Sequence, residues 1–291
     1  MIEIYQKYLK LEKTTKDGEW KSICPFHQEE TASFYVNENT TQYYCFGCGA
    51  SGNIYKFMEL TGRTPDLDLL QTIKTQSQLK TEEDEATITF NEPISSKVIE
   101  QLHKNLLNDY SKLQYLIRER LISYFIIKKF LLGYDTSSQR YAIPIKSRTG
   151  KFVNIKLHSS ERVPKSFYWQ EGGRRLFPFS ALSKSQVIIC EGEFDCLALQ
   201  SLGISSVTST SGASNWQSGW NHYFFQKDVI IIYDKDEAGE RGSDLVIQNI
   251  STYCNSAVNI RFPESFSGKD VTDYLKAKQD IFKLLGLRKK K

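Results

Sequence analysis

No run in the 291 residues is apolar for long enough to cross a bilayer, since a spanning helix needs roughly 20 such positions. The opening residues Met1-Ile2-Glu3-Ile4-Tyr5-Gln6-Lys7 also lack the basic-then-apolar layout of a secretory signal. A membrane-embedded or secreted protein is therefore not expected; the chain reads as cytoplasmic, with no membrane partner. Cysteine is scarce, with six residues unevenly placed, which excludes a disulfide scaffold. Charge of one sign is lacking too: 38 Lys+Arg face 34 Asp+Glu, for a net +4. Bulk charge thus says little about nucleic acid, and what matters is where the cations concentrate. No solenoid-type repeat is visible. What remains is ordinary globular composition, 40% apolar and 25% charged, at a length that favours about two domains.

The rhythm of the chain changes three times. Residues 1–62 form an aromatic- and Cys-rich unit, and residues 63–96 read as a polar linker. That linker contains the acidic Thr81-Glu82-Glu83-Asp84-Glu85 and one helical turn near Leu67-Asp68-Leu69-Leu70. Helical periodicity then runs from Lys97 through Val98, Leu102 and Leu106, and on from Leu113 to Phe130, stopping at Gly133. Two β-like runs, Tyr141–Ile145 and Phe152–Ile155, flank a basic turn and complete a segment 97–180. From residue 181 onward, continuous apolar strands (Val187–Cys190, Val229–Tyr233, Ala257–Ile260) alternate with helical stretches. That alternation specifies a parallel sheet covered on both faces. The expected fold class is a multidomain α+β and α/β protein: a zinc-ribbon-like β domain, a helical connector with a basic α+β subdomain, and a C-terminal α/β sheet.

Three of the cysteines cluster. Cys24-Pro25-Phe26-His27 and Cys45-Phe46-Gly47-Cys48 are tight pairs on either side of a hairpin-like stretch, Ser33–Val36 and Gln42–Tyr44. Zinc takes four N/S ligands in a tetrahedron, and two such knuckles supply Cys24, His27, Cys45 and Cys48 with no open position. One structural zinc ion is expected, contributing much of the folding free energy of so small a unit.

A second pattern follows two strands. Glu191-Gly192-Glu193-Phe194-Asp195 comes directly after the Val187 strand, and Asp234-Lys235-Asp236-Glu237 after the Val229 strand. If the strands are parallel neighbours, both turns open on one crevice at the carboxyl edge of the sheet. Oxygen-only donors select Mg²⁺ or Mn²⁺, and such ions keep positions free for phosphate oxygens. The turn Gly268–Leu275 adds Asp270, with Asp273 a weaker candidate; Asp273 or Thr272 serves equally well as cap of the final helix. Glu193 and Glu237 read as caps or solvated turn residues. Cys190, Cys196 and Cys254 read as inert core.

The first pattern, extended through Gly49-Ala50-Ser51-Gly52-Asn53 and including Glu30-Thr31-Ala32-Ser33-Phe34 and Phe57, resembles the CHC2 zinc-binding domain of bacterial and phage DNA primases. Ala32 stands where that family usually has proline. Glu191-Gly192 with Asp195, and Asp234-Lys235-Asp236 with Gly239, resemble the two acidic motifs of a Toprim domain. Tyr115–Tyr134, Arg140–Ile145 and Gly150-Lys151-Phe152 are similar to the segment that leads into the primase polymerase core, and Lys165 falls where the family keeps a template- or nucleotide-contacting lysine. The resemblance implies template-directed synthesis of short RNA primers on single-stranded DNA from ribonucleoside triphosphates. It assigns Mg²⁺ or Mn²⁺ to Asp234 and Asp236, with Asp270 less central, and a metal-holding or proton-relaying role to Glu191 beside Asp195. Arg140, Lys146, Arg148, Lys151, Lys156, Lys165, Arg174 and Arg175 would line a groove for template and triphosphates, with Phe167, Tyr168 and Trp169 stacking on unpaired bases. The aromatics Phe34, Tyr35, Tyr43 and Tyr44 of the zinc unit contact template or pack the small core.

No helicase-type phosphate loop occurs, and the length suits a stand-alone primase of a phage, plasmid or mobile element, with any replicative helicase acting in trans. Two alternatives compete. One is a primase-derived DNA-binding protein without turnover; the other is a different Toprim enzyme, a nuclease or topoisomerase.

Overall fold

A computed structural model of the chain describes residues 2–38, 42–52, 54–62, 93–170, 174–212, 215–251 and 253–288. Most of the expected linker, 63–92, and its Leu67–Leu70 turn lie outside them. The chain divides into two compact units, Met1–Glu83 and Asp84–Lys291. No helix among the described residues is long and apolar enough to cross a membrane.

In the first unit, strands β1 (Glu12–Lys13), β2 (Glu19–Ser22), β3 (Phe34–Asn37), β4 (Tyr43–Cys45) and β5 (Ser51–Gly52) pair in chain order as an antiparallel meander. The hairpin read from sequence is β3–β4; the two-residue strands and polar β2 carry too little alternation to be seen in advance. The period of two divides the aromatics. Phe34, Val36 and Tyr43 turn inward onto Tyr5 and Phe57, from the helices Ile2–Gln6 and Ile54–Leu60, and form the core. Phe34 and Tyr43 stack with ring centres 4.8 Å apart. Tyr35 and Tyr44 pair on the opposite face, where Phe46 packs edge-on to both. The four aromatics, read as contacting template or packing the small core, are thus two sets, and Phe34 and Tyr43 are core residues.

The second unit contains two sheets. Strands β6 (Gly133–Asp135), β7 (Arg140–Lys146), β8 (Phe152–His158) and β9 (Ser166–Tyr168) make an antiparallel meander. Ala142, Ile155 and Leu157 on one face take Ile99 and Leu102 of the helix Ser96–Asn108. Gly133 is required here, because a Cβ would sit 2.7 Å from the Leu102 backbone carbonyl carbon. The periodicity from Lys97 breaks at Asp109, whose carboxylate caps the next helix, Tyr110–Gln114.

The other sheet runs β10 (Leu176–Phe177), β12 (Ser206–Ser209), β11 (Gln186–Cys190), β13 (Asp228–Ile232) and β14 (Ser256–Asn259) in spatial order. β10 is antiparallel and the other four are parallel. β11 and β13 pair residue for residue from Gln186↔Asp228 to Cys190↔Ile232, so Glu191 and Asp234 leave the same edge side by side. The chain passes from β11 to β12 on one side and then returns to β13 on the other, which makes the β11/β13 boundary the topological switch point. β12, Ser206-Val207-Thr208-Ser209, was invisible in the sequence: it is polar yet fully buried.

The two sheets are joined through a buried polar latch. Lys156 Nζ on β8 donates to Glu193 Oε1 at 2.6 Å and to the Thr210 carbonyl at 2.8 Å, and the Tyr168 hydroxyl reaches that carbonyl at 2.6 Å. Glu193 is therefore not a solvated turn residue: it is 7% exposed and neutralised by Lys156. Removing one partner of a buried pair costs more than replacing both. Lys156→Met should destabilise the fold by about 3–5 kcal/mol, and adding Glu193→Leu should recover most of it, as read by urea unfolding.

Candidate metal centre and catalytic crevice

The four knuckle residues meet. Their ligand atoms all lie within 4.8 Å of one another. The Cys24 and Cys48 sulfurs are 3.9 Å apart, and Cys45 Sγ is 3.7 Å from His27 Nδ1. An ion with Zn–S bonds of about 2.3 Å requires tetrahedral edges near these values, so the donors fit zinc. Backbone N–H groups of Phe26 and Cys48 donate to the Cys24 and Cys45 sulfurs at 3.4 Å. Gly47 leaves room for the imidazole, since a Cβ there would overlap it.

Sequence reasoning missed the residue that orders this site. Glu29 is two residues after His27. Its Oε1 accepts the Cys24 N–H at 2.7 Å and the Ser33 N–H at 3.1 Å, while Oε2 takes the Ser33 hydroxyl and lies 3.1 Å from His27 Nε2. Nδ1 is thereby left facing the sulfurs, the carboxylate–histidine–metal arrangement that fixes a ligand's orientation.

At the switch point, the predicted acids converge. The half-buried Glu191 accepts the Asp234 backbone N–H through Oε2 at 3.2 Å, and its own carbonyl is held by the Thr208 hydroxyl at 2.8 Å. Asp236 caps the helix Glu237–Ile250 by accepting the Gly239 N–H through Oδ1 at 2.8 Å. Gly239 allows that turn to close: a Cβ would collide with the Asp234 carbonyl oxygen. Asp270 caps the helix Val271–Lys276 through the Asp273 N–H at 2.7 Å, so the cap is Asp270 itself and not Asp273 or Thr272. Asp195, only 9% exposed, accepts both the Thr272 N–H at 3.0 Å and the Thr272 hydroxyl at 2.7 Å through Oδ1. The Asp236 cap uses Oδ1 on a backbone donor and leaves Oδ2 for Lys269.

Crowding shows in the acidities. Burial, then the neighbouring Asp234 charge, pushes Glu191 up. Burial pushes Asp234 up against the pull of Lys269. Burial, then Asp270, pushes Asp195 up to about 7. Asp236 alone is held down, by Lys269 and by the Gly239 N–H. Carboxylates gathered in this way resist ionising together unless a cation joins them. One does: Lys269 Nζ lies 2.8 Å from Asp236 Oδ2 and 3.2 Å from Asp234 Oδ2. The crevice can close around positive charge, which is what a divalent ion requires of it. Lys269 directly precedes Asp270, in a turn singled out only for its acids.

The basic residues separate into two groups. Lys146, Arg148, Lys151, Lys165 and Arg174 are exposed, and Arg175 is half-buried. Arg140 is buried at 4%, donating to the Pro164 carbonyl at 2.9 Å and lying over the Phe167 ring. Lys156 is committed to the latch. Neither of these two is an open groove cation, because Arg140 is held by the Pro164 carbonyl and the Phe167 ring and Lys156 by Glu193 and the Thr210 carbonyl. Phe167 and Trp169 are exposed, whereas Tyr168 is tied to Thr210. Cys190 and Cys196 are buried as expected, and Cys254 packs at the core margin.

Both regions match known families. Residues 1–88 match the CHC2 zinc finger family, and residues 188–275 the Toprim-like family. A DNA primase of Rickettsia prowazekii (strain Madrid E) is 26% identical over 318 residues, covering 91% of this chain and 53% of its own length. The chain is similar to DNA primases. The crystal structure of the Aquifex aeolicus primase, zinc-binding and RNA polymerase domains, matches with TM-score 0.56 at 21% identity over 98% of this chain and 82% of that one. A DnaG primase catalytic domain bound to ssDNA matches with TM-score 0.51 at 14% identity over 71% and 79%. The chain spans about half the length of most of the curated relatives it matches. These likenesses support the mixed α+β fold with a zinc-binding β unit and a mostly parallel Toprim-like sheet.

The Glu29 geometry makes a direct prediction. Glu29→Ala should weaken zinc retention by about 10–100-fold, the range for lost outer partners of metal ligands. Glu29→Gln, which can still accept the backbone bonds, should lose less. Competition with a chromophoric chelator measures both.

Proposed function

We propose that the chain is the zinc-binding and catalytic part of a DNA primase, joining ribonucleotides into short RNA primers on a single-stranded DNA template. The observation that carries this reading is the crevice itself: Glu191, Asp234 and Asp236 from two adjacent parallel strands, drawn together around a positive charge. The order of the two matched families along one chain supports it. In this reading residues 1–62 hold zinc, 97–180 supply the basic platform, and 181–291 hold the chemistry.

In the reaction, the 3′-hydroxyl of one ribonucleotide attacks the α-phosphate of the next and pyrophosphate leaves. Asp234 and Asp236 would hold a divalent ion, Mg²⁺ or Mn²⁺, with Asp270 a less central ligand. When bound, the ion would neutralise phosphate charge and make the hydroxyl more acidic. Glu191 is the proton acceptor: burial and Asp234 raise its basicity, and the Asp234 N–H fixes its orientation. Asp195 acts as a positioning residue, locking the Asp270-capped helix to the helix that follows Glu191 through Thr272. Exposed Lys146, Arg148 and Lys165 attract template and triphosphate, and exposed Phe167 and Trp169 offer stacking faces. The exposed Tyr44 and Phe46 give the zinc unit a comparable surface.

Purified protein with Mg²⁺, ribonucleotides and single-stranded templates should yield short RNA. Asp234→Asn should reduce the product by on the order of 100-fold or more, as lost electrostatic stabilisation of phosphoryl transfer does. Cut DNA instead of primers would indicate a nuclease. Salt-sensitive binding with no product from either protein would indicate the passive DNA-binding role.

A further inference from the structure

Lys269 occupies the place where the proposed metal ligands present their free oxygens. Its ammonium is 2.8 Å from Asp236 Oδ2 and 3.2 Å from Asp234 Oδ2. A divalent ion bound to those oxygens at about 2.0–2.1 Å leaves no room for a second cation bridging the same pair. The two must exclude one another.

The surroundings of Lys269 are arranged for exchange. Its backbone is pinned at both ends: its N–H donates to Asp273 Oδ2 at 3.0 Å, and its carbonyl accepts the Lys235 N–H at 2.7 Å. Its side chain is 56% exposed and so can swing. Lys235, the other cation of the turn, is different: its ammonium donates to the carbonyls of Pro263, Glu264 and Phe266 at 3.0, 2.9 and 2.5 Å. Lys235 anchors the loop, and Lys269 is the cation free to move.

We propose that Lys269 is a built-in counter-ion that the divalent metal displaces and that then binds the phosphate oxygens of the incoming nucleoside triphosphate. In the metal-free protein it offsets the repulsion between Asp234 and Asp236 and keeps their turn closed. Once displaced, its four-carbon stem leaves the ammonium at the rim of the crevice, one side chain away from the metal. A triphosphate bound there finds the metal on one side and the ammonium on the other. Metal and nucleotide binding are thereby linked through one side chain, with no movement of the sheet.

This rests on the crevice being the divalent-metal site of the proposed primase, and the test keeps the two claims apart. Mn²⁺ binding to the full chain, followed by electron paramagnetic resonance, is compared in wild type, Lys269→Met, Lys269→Gln and Asp234→Asn, each first checked for a native circular dichroism spectrum. Removing the competing charge should tighten Mn²⁺ binding by about three- to tenfold in both Lys269 variants. Affinity for ATP at saturating Mn²⁺ should fall by a similar factor of about three to ten in the same variants, with Lys269→Arg restoring it. A purely structural lysine would weaken both ligands together. If the wild type binds Mn²⁺ and Asp234→Asn does not, yet the Met and Gln variants bind Mn²⁺ no more tightly, the counter-ion role is wrong and the metal site stands. ATP affinity unchanged by the loss of the ammonium would overturn the phosphate-binding half. If Asp234→Asn binds Mn²⁺ as well as the wild type does, the metal site is elsewhere and both claims fall.

Discussion

The structure turns on mutual repulsion held in check. Strand order β12-β11-β13-β14 brings the ends of two buried parallel strands together, and each ends in an acid. Nothing about a parallel sheet requires carboxylates at that edge, and their company is costly, as the weakened acidities of Glu191, Asp234 and Asp195 show. The fold tolerates this because four of the acids have a structural partner on one oxygen and Asp234 has the Lys269 ammonium. Asp236 and Asp270 each cap a helix, Asp195 holds Thr272, and Glu191 receives the Asp234 N–H. Asp234 Oδ2 and Asp236 Oδ2 face the Lys269 ammonium.

That economy lets the same residues serve both folding and the proposed chemistry. A helix N-cap needs a short oxygen-bearing side chain at a fixed position, and an octahedral cation needs oxygens at fixed positions too. An aspartate at the start of a helix meets both needs at once. The zinc knuckles follow a parallel logic: Glu29 ties backbone, serine and histidine into one network, so the ligands are arranged by hydrogen bonds that do not themselves involve the metal.

The sequence was most legible where chemistry and periodicity coincide. Paired Cys/His spacing located four residues whose ligand atoms meet and fit zinc, and unbroken Val/Ile runs located β11 and β13 and the acids at their ends. It was least legible where burial overrides composition. Ser206–Ser209 forms a central strand because its hydroxyls find partners inside, as Ser206 does on the Cys196 carbonyl, and no apolar run announces it. Arg140 and Lys156 looked like groove cations, because one sequence cannot show which face of a strand is enclosed. Glu193 looked solvated for the same reason, its partner being 37 residues away on another sheet. Glu29 and Lys269 lay in plain view beside residues that had been singled out; their importance is a matter of direction, which spacing does not encode.

The most direct measurement is anomalous X-ray scattering from crystals of the protein soaked with Mn²⁺. A peak is expected at the carboxyl edge of β11 and β13, within coordination distance of Asp234 and Asp236 and beside Glu191, with the Lys269 ammonium moved off both aspartates. Manganese bound elsewhere with Lys269 still bridging Asp234 and Asp236, or no peak at that edge at saturating metal, would contradict it.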